Sequence, residues 1–367
     1  PPAKLRIAAA GSHCSGKKAS NVSELTVGII GMGFMGTVHA RHYHDNGRIG
    51  RLLVATPVEQ EQKIARERFG AEVFSDYRTM IRQGQPQAVS ICTPNFDHYE
   101  IAAWLMQEAP KVAILIEKPM GVNDQQVAQL TKMAARHQGP ILIGHSLRFA
   151  GAYIKGRELL RQGAIGNPCY LEARYKWFKD FSKFPAWKRD PELSGGGFLM
   201  QSGLHMLDLF VWYADSPVVE VVGHAEDLYF KDYPVEDTFF GTIRFASGVC
   251  AHLVGSSATK GFIDYGIEVY GERGAIKVES VAVPGGLDID NHSVSLFTEE
   301  SAYSPSGALV IPSAPKRDFW KDEINHFISC VLDGSEPAVT PADAKTVMDV
   351  CFALYKSAAM GGRTVRL

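Results

Sequence analysis

The stretch from residue 25 to residue 36 reads LTVGIIGMGFMG, an apolar run followed by three regularly spaced glycines. An apolar run without polar alternation predicts a strand that is buried on both faces. Glycines in a G-x-G-x-x-G pattern let the chain turn tightly into a helix, so that a pyrophosphate can approach N–H groups at the helix N-terminus. We therefore predict a dinucleotide-binding turn built from Gly31, Gly33, Phe34, Met35 and Gly36.

Further apolar runs continue this pattern as far as residue 144. They lie at 26–30, 52–55, 88–92, 112–116 and 141–143, with helical stretches between them at 59–69, 97–108 and 124–137. Such alternation is typical of β-α-β units. The sequence thus predicts an α/β fold, with an N-terminal Rossmann domain over residues 25–144 whose sheet is parallel and doubly wound.

In residues 145–367 the regular alternation of strand and helix ends, and this part of the sequence predicts an α+β domain for substrate binding and oligomerisation. One helix is expected at 152–162, two more near 317–332 and 341–359, and strands at 169–178, 218–228, 238–246, 249–257, 265–270 and 275–281. Turn signals between these runs indicate a large, open, mainly antiparallel sheet. The last helix is expected to pack back on the first domain. The stretch 283–314, rich in Gly, Pro and Ser, predicts a long surface loop.

Composition narrows the partners. The 367 residues are 46% hydrophobic and 21% charged, with a net charge of −2, as in an ordinary globular protein. We expect small-molecule partners rather than nucleic acid, because no global positive field exists. No apolar run approaches the roughly 20 residues of a membrane helix, so we predict a cytoplasmic protein. The six cysteines form no C-x-x-C pair and are expected to be reduced thiols.

The first 24 residues predict a flexible extension. Within them, Gly11–Lys18 nearly matches the phosphate loop G-x4-G-K-[ST]. However, Lys18 stands where the magnesium-binding hydroxyl should be, and no apolar-periodic helix follows. We therefore keep a nucleoside triphosphate site only as a minor alternative.

The predicted second strand ends in Thr56 and Pro57, where an acidic residue usually binds the ribose hydroxyls. A hydroxyl group can bind a ribose without repelling a 2′-phosphate, so both NAD(H) and NADP(H) remain open. No basic residue follows immediately, which slightly favours NAD(H).

Ligands of doubly wound sheets lie beyond the carboxyl ends of the strands, so the residues after the runs at 88–92 and 112–116 are candidates. These are Thr93, Pro94, Asn95, His98, Glu117 and Lys118. An ammonium group at position 118 can hydrogen-bond both a cofactor ribose and a substrate oxygen; the alternative is a surface lysine at the start of a loop. His98 is interpreted as structural or cofactor-adjacent.

A glycine-rich approach, 195–197, precedes a second candidate cluster. If a helix starts near Leu199, Gln201 and His205 lie four residues apart on one helix face. A neutral imidazole can take a hydroxyl proton while hydride leaves the same carbon. The alternative is a core histidine capped by Asp208. A metal site is not predicted, since no third ligand lies nearby.

Together these motifs resemble the Gfo/Idh/MocA family of nicotinamide-dependent sugar and polyol dehydrogenases, over Leu25 to the C-terminus. The resemblance implies a sugar or polyol substrate and a homo-oligomer, dimer or tetramer, formed through the open sheet. It implies Lys118 and His205 as catalytic residues, with Gln201 where many members carry aspartate. Residues expected to contact the substrate are Lys118, Arg148, Lys176, Trp187, Lys188, Arg189, Gln201 and His205.

The sequence thus predicts an NAD(P)-dependent dehydrogenase or reductase acting on a secondary alcohol or ketone of a sugar, cyclitol or sugar derivative. Lys118 would polarise the substrate oxygen and His205 would exchange the proton. Two alternatives stay open. One is a glycoside-cleaving enzyme that uses a transient 3-keto sugar, and the other is a non-catalytic regulator that senses a dinucleotide or sugar.

Overall fold

The computed structural model describes residues 24–261, 263–283, 286–298, 309–311 and 318–367. The extension before residue 24, with the phosphate-loop-like segment Gly11–Lys18, lies outside the described residues. Of the six cysteines, Cys92, Cys169, Cys250, Cys330 and Cys351 are described, and all five are free thiols.

The first sheet is parallel and has the strand order β3-β2-β1-β4-β5-β6. Its strands are β1 (Leu25–Ile30), β2 (Ile49–Ala55), β3 (Glu72–Phe74), β4 (Ala88–Ile91), β5 (Ala113–Glu117) and β6 (Ile141–Gly144). The winding direction reverses between β1 and β4, and such a point opens a crevice at the carboxyl ends of the strands. The predicted doubly wound sheet is therefore confirmed, with β3 as a short strand that the sequence analysis missed.

Four long helices flank this sheet: α1 (Phe34–His44), α2 (Glu59–Phe69), α3 (Asn95–Glu108) and α4 (Asp124–Ala134). Local chemistry sets several of their ends. Helix α2 stops at Gly70, whose φ of 61° is the left-handed conformation that glycine tolerates. Helix α4 begins after Asn123, whose side chain accepts a hydrogen bond from the Gln126 N–H.

The second sheet has nine strands in the order β14-β13-β12-β11-β7-β10-β9-β8-β15. They are β7 (Pro168–Lys176), β8 (Val218–Glu226), β9 (Thr238–Phe245), β10 (Cys250–Ser256), β11 (Asp264–Gly271), β12 (Gly274–Val283), β13 (Gly286–Thr298), β14 (Leu309–Ile311) and β15 (Val365–Arg366). All neighbours pair antiparallel except β7 with β10, which are parallel. The prediction of a mainly antiparallel sheet is confirmed.

The predicted long loop at 283–314 is wrong where the structure describes it. Strand β13 pairs with β12, and β14 pairs with β13. The Gly and Ser content suggested a loop, yet the sequence around Val294 alternates apolar and polar residues, and Val294 is fully buried. Pairing along a neighbouring strand therefore outweighs the loop-like composition.

The other long helices are α5 (Gly151–Arg161), α6 (Leu204–Ala214), α7 (Phe319–Leu332) and α8 (Pro341–Ala359). Helix α5 packs on β12 and β13, and α6 packs on β7. Helix α7 packs on α1, and α8 contacts both β8 and α4, so the C-terminal helices join the two parts of the chain. In the described ranges, none of the helices combines the length and apolar character needed to cross a membrane.

Candidate active site

A cavity of about 1250 Å³ extends from the glycine turn after β1 to the start of α6. Its dinucleotide-domain end is lined by Gly31, Gly33 and Thr56, and its other end by Gln201 and His205. Residues that are far apart in the sequence therefore share one cleft beyond the carboxyl ends of the first sheet.

The three glycines of the turn have different roles. Gly31 has φ of 85°, and a Cβ there would lie 2.9 Å from backbone atoms of Cys92 and Thr93. A Cβ on Gly36 would lie 2.1 Å from the Gly31 carbonyl oxygen. Gly33 has nothing within 4 Å of its Cβ position and opens α1. The first and third glycines thus permit close packing, while Gly33 leaves space where a pyrophosphate can meet the helix N-terminus.

An acidic side chain that the sequence analysis missed lies beside the end of β2. Glu61, in the first turn of α2, lines the cavity. Its Oε2 accepts hydrogen bonds from the Thr56 hydroxyl at 2.5 Å and from the Met32 N–H at 3.2 Å. A carboxylate therefore lies beside the glycine turn although Thr56 replaces the expected acid. An acidic residue five positions after Thr56, early in the next helix, is the signal that was available.

The loop after β4 is held by buried hydrogen bonds. Both ring nitrogens of His98 contact carbonyl oxygens, Nδ1 that of Pro119 at 2.7 Å and Nε2 that of Thr93 at 2.8 Å. Asn95 donates to the Ser194 carbonyl at 2.8 Å, which links this loop to the second domain. Thr93, Pro94, Asn95 and His98 all line the cavity. With both nitrogens engaged, His98 is placed to fix the loop rather than to carry a proton.

Glu117, the last residue of β5, contacts His39 Nε2 through Oε1 at 3.1 Å. Glu323 from α7 lies beside this pair, and the ligand atoms of the three residues fall within 4.8 Å of one another. Burial, and next the charge of Glu117, raise the pKa of Glu323 well above its usual value. Glu323 lies behind the strand end, and it is not one of the residues that line the cavity.

Lys118 is the first residue beyond β5, and it reaches across to the second domain. Its Nζ donates to the Gln201 carbonyl oxygen at 2.7 Å. Burial lowers the pKa of Lys118 to about 7; the charges of Lys179 and Lys188 act in the same direction, and Glu117 opposes them. Because its side chain is only partly exposed and hydrogen-bonds across the cleft, Lys118 is not the surface lysine that the sequence left open as an alternative.

The segment before α6 is a π-helical turn, Leu199–Gly203, rather than the start of a regular α-helix. The Gln201 side chain donates to the carbonyls of Lys188 at 2.8 Å and Gly196 at 3.3 Å. His205 Nδ1 is buried and has no hydrogen-bond partner among the described residues. Gln201 thus anchors the preceding loop, and within the described part of the chain its side chain forms no hydrogen bond with His205.

His205 lines the same cavity as Lys118. Burial, followed by the charges of Lys118, His145 and Lys179, lowers the pKa of His205 well below its usual value. The imidazole is therefore neutral at neutral pH. Asp208, the alternative partner from the sequence analysis, binds Arg148 instead, so His205 is not a histidine capped by that carboxylate.

The π-helical turn is held by side chains from two distant elements. Glu236 accepts hydrogen bonds from the N–H groups of Gly197 at 2.9 Å and Leu199 at 2.8 Å. Tyr355 of α8 donates to Glu236 at 2.7 Å and accepts from the Met200 N–H at 3.2 Å. A Cβ at Gly197 would lie 2.1 Å from the Glu236 carbonyl oxygen, which explains a glycine there.

Three predicted substrate contacts lie outside the cavity lining. Arg148 is buried and forms a two-pronged pair with Asp208, with distances of 2.7–3.1 Å. Lys176 forms an ion pair with Asp264 at 3.3 Å, because successive side chains of β7 alternate and only Tyr175 faces the cavity. The Arg189 guanidinium lies over the Tyr233 ring, 5.0 Å from its centroid. Arg148 and Lys176 are thus engaged in ion pairs, whereas the buried Nε of Arg189 has no hydrogen-bond partner among the described residues.

Trp187 and Lys188 do line the cavity, together with a residue that the sequence analysis missed. Lys179 donates to the Ser202 hydroxyl at 2.8 Å and lies 5.2 Å from the Tyr175 ring centroid. Burial lowers the pKa of Lys179 to about 8. Its only sequence signal is a lysine three residues beyond the end of β7.

With this geometry established, comparison with known proteins identifies the family. Residues 25–145 match the model described as "Oxidoreductase family, NAD-binding Rossmann fold", and residues 153–277 match the "GFO/IDH/MocA C-terminal domain". The chain belongs to the Gfo/Idh/MocA family of oxidoreductases. It is an oxidoreductase with an NAD-binding Rossmann domain, and relatives of this chain are named as dehydrogenases of inositols and of D-xylose.

Two relatives and one solved structure show the kinds of protein to which this chain is similar. It is 24% identical over 349 residues to a myo-inositol 2-dehydrogenase of Thermotoga maritima, covering 91% of this chain and 96% of that one. It is 29% identical over 250 residues to a D-glucoside 3-dehydrogenase of Escherichia coli, covering 63% and 70%. Levoglucosan dehydrogenase in complex with NADH superposes with a TM-score of 0.82 at 20% identity, covering 94% and 99%.

Proposed function

We propose that Lys118 and His205 are the catalytic residues and that the substrate binds between them and the second-domain end of the cavity. The observation that carries this proposal is the 2.7 Å hydrogen bond from Lys118 Nζ to the Gln201 carbonyl, which brings Lys118 beside the turn leading to His205. These two groups lie in a cleft that begins at the glycine turn. The cleft therefore joins a dinucleotide cradle to a proton-transfer pair.

The residues have distinct tasks in this proposal. A nicotinamide bound in the dinucleotide cradle would supply the hydride chemistry at the alcohol or ketone carbon. In the oxidation direction, the neutral imidazole of His205 takes the hydroxyl proton. The Lys118 ammonium donates a hydrogen bond to the same oxygen and stabilises the charge that develops there. Gln201 positions this pair by fixing the π-helical turn to the Lys188 and Gly196 carbonyls.

A second assignment is favoured by the pKa of Lys118. Because burial lowers that pKa to about 7, the neutral amine can itself accept the hydroxyl proton. The pH dependence separates the two assignments. If the ammonium group acts by polarisation, kcat/KM for oxidation falls as pH rises through about 7. If the amine is the base, kcat/KM rises over the same range.

We also propose that the enzyme prefers NAD(H), with Glu61 as the residue responsible. A carboxylate accepts hydrogen bonds from ribose hydroxyls and repels a 2′-phosphate. Asp76 also lines this end of the cavity, and no arginine of the described residues does. Of the lysines that line the cavity, Lys179 and Lys188 lie at its other end, and Lys118 lies directly after β5, where the two ends meet. A 2′-phosphate would therefore meet acidic groups without a cation to bind it.

We further propose a homo-oligomer formed through the open face of the second sheet. Buried Leu171, Ala173 and Tyr175 of β7 alternate with side chains on the opposite face. Arg174 on that face forms ion pairs with Asp264 at 3.0 Å and Glu268 at 2.8 Å. Analytical ultracentrifugation tests this proposal, and a monomer at all concentrations contradicts it.

The decisive experiment measures hydride transfer directly. NAD+ or NADP+ is mixed with the protein and a panel of neutral and acidic sugars and cyclitols, and formation of the reduced nicotinamide is followed by absorbance. We expect reduction with at least one member of the panel and its loss in the Lys118→Met variant. Reduction at an unchanged rate in that variant would remove Lys118 from the mechanism.

A further inference from the structure

We propose that the physiological substrate is a sugar or cyclitol derivative with an anionic group, a carboxylate or a phosphate, which Lys179 and Lys188 bind. The inference rests on the proposed function, because it assigns Lys118 and His205 to the reacting carbon and leaves the other two cations for a different part of the substrate.

Charge is unevenly distributed along the cavity. Every carboxylate that lines it belongs to the dinucleotide-binding domain: Glu61, Asp76, Asp97, Glu100 and Glu117. Among the described residues of the second domain, those that line the cavity include two lysines, several aromatic rings and no carboxylate. The substrate end of the cleft is therefore cationic, although the chain as a whole has a net charge of −2.

The two lysines have neutral partners only. Lys179 donates to the Ser202 hydroxyl at 2.8 Å and to the Tyr175 hydroxyl at 3.4 Å. The Lys188 ammonium lies 5.3 Å from the centroid of Phe184 and 5.4 Å from that of Trp187. Within the described part of the chain, neither lysine forms an ion pair. These ammonium groups are held in place by hydroxyls and rings, with their charge uncompensated.

Uncompensated cations in a half-buried site are costly. The cost is visible in their proton equilibria: burial lowers the pKa of Lys179 to about 8, and burial together with Lys179 lowers that of Lys188. An anion between them would stabilise both ammonium groups and raise both pKa values. Neutral hydroxyls would not, so the site is better matched to an anionic ligand than to a plain sugar.

The test compares matched ligands that differ in charge. Glucose, glucosamine, glucuronate and glucose 6-phosphate, and the corresponding galactose series, are titrated into the NADH-bound protein by calorimetry in two buffers of different ionisation enthalpy. We expect one anionic form to bind at least about tenfold more tightly than its neutral parent. We also expect proton uptake on binding near pH 8. Binding of the glucuronate or galacturonate form indicates a carboxylate ligand, and binding of the 6-phosphate form indicates a phosphate ligand.

Variants locate the effect. Lys179→Gln should abolish the preference for the anionic form, Lys179→Arg should retain it, and Lys183→Gln, an exposed lysine on the same loop, should leave it unchanged. Equal affinity for neutral and anionic forms would overturn the inference, as would loss of affinity for NADH in Lys179→Gln, which would assign that lysine to the cofactor.

The two proposals fail in different ways. Reduction of nicotinamide by neutral sugars as efficient as by anionic ones would refute the anionic substrate while leaving the proposed catalytic pair intact. The other outcome is that an anionic sugar binds tightly, that neither NAD+ nor NADP+ is reduced, and that Lys118→Met does not change this binding. That outcome would refute the catalytic proposal and leave the anion site standing.

Discussion

The two ends of the cleft are built by different means. At the dinucleotide end, backbone geometry dominates: Gly31 and Gly36 permit close packing, and Gly33 leaves space before α1. At the substrate end, side chains dominate: Lys179, Lys188 and Gln201 come from a loop and a π-helical turn held by distant partners. A backbone-built site has a recognisable local sequence pattern, whereas a side-chain-built site depends on tertiary packing.

Lys118 lies where the two ends meet, and its replacement should have the largest effect. We expect Lys118→Met to lower kcat/KM between about a hundredfold and a thousandfold, because the lost cation acts mainly on the transition state. Cofactor affinity, measured by fluorescence titration, should change much less. Lys111→Met, an exposed lysine before β5, is the matched control. If Lys118→Met lowers cofactor affinity as much as it lowers kcat/KM, Lys118 belongs to the dinucleotide end of the cleft.

Replacing His205 tests the substrate end alone. We expect His205→Asn to lower kcat by about a hundredfold through loss of the proton acceptor. Oxidation requires a neutral base, and burial lowers the pKa of His205 well below its usual value. The wild-type kcat/KM for oxidation should therefore persist to a pH below the ordinary histidine range, and this acid limb should disappear in the variant. If the acid limb of kcat/KM is unchanged in His205→Asn, His205 has a structural role.

Replacing Glu61 tests the dinucleotide end and should have the smallest effect. We expect Glu61→Gln to narrow the preference for NAD+ over NADP+ by about tenfold, since an amide no longer repels a 2′-phosphate. Dissociation constants for adenosine 5′-monophosphate and its 2′-phosphorylated form measure this without turnover. Glu59→Gln, an exposed residue in the same helical turn, is the control. A preference that stays constant would show that Glu61 does not border the ribose.

Sequence reasoning succeeded where local pattern determines structure. The turn at Gly31, the strand before it and the residues after β4 and β5 follow from apolar runs and turn chemistry. Gly31, Gly33 and the residues after β4 and β5 line one cleft, and β1 reaches it with its last residue, Ile30. It did not find Glu61, because that side chain reaches the strand end from a helix, through hydrogen bonds to Thr56 and Met32. The sequence offers an acidic residue five positions after Thr56, but it does not show that this side chain turns back to the end of β2.

The substrate end shows the limit more clearly. Arg148 has the charge of a substrate contact but is bound bidentately by Asp208, 60 positions away in the chain. Lys176 and Lys179 are both basic and near the end of β7, yet only Lys179 lines the cavity. Lys176 is placed by the alternation of side chains along β7, and Lys179 by the loop that follows this strand. Composition alone therefore does not distinguish the two lysines.

The hydrogen bonds of Tyr355 have a consequence for how such enzymes can be recombined. Helix α8 packs on α4 of the dinucleotide domain, and through Tyr355 it also supports the Glu236 carboxylate and the turn that carries Gln201. A chimaera that exchanges only residues 145–340 would place a foreign π-helical turn on a helix not matched to it. The exchangeable unit for new substrate specificity is therefore discontinuous in the chain: it comprises the second sheet, the turn and the face of α8 that bears Tyr355.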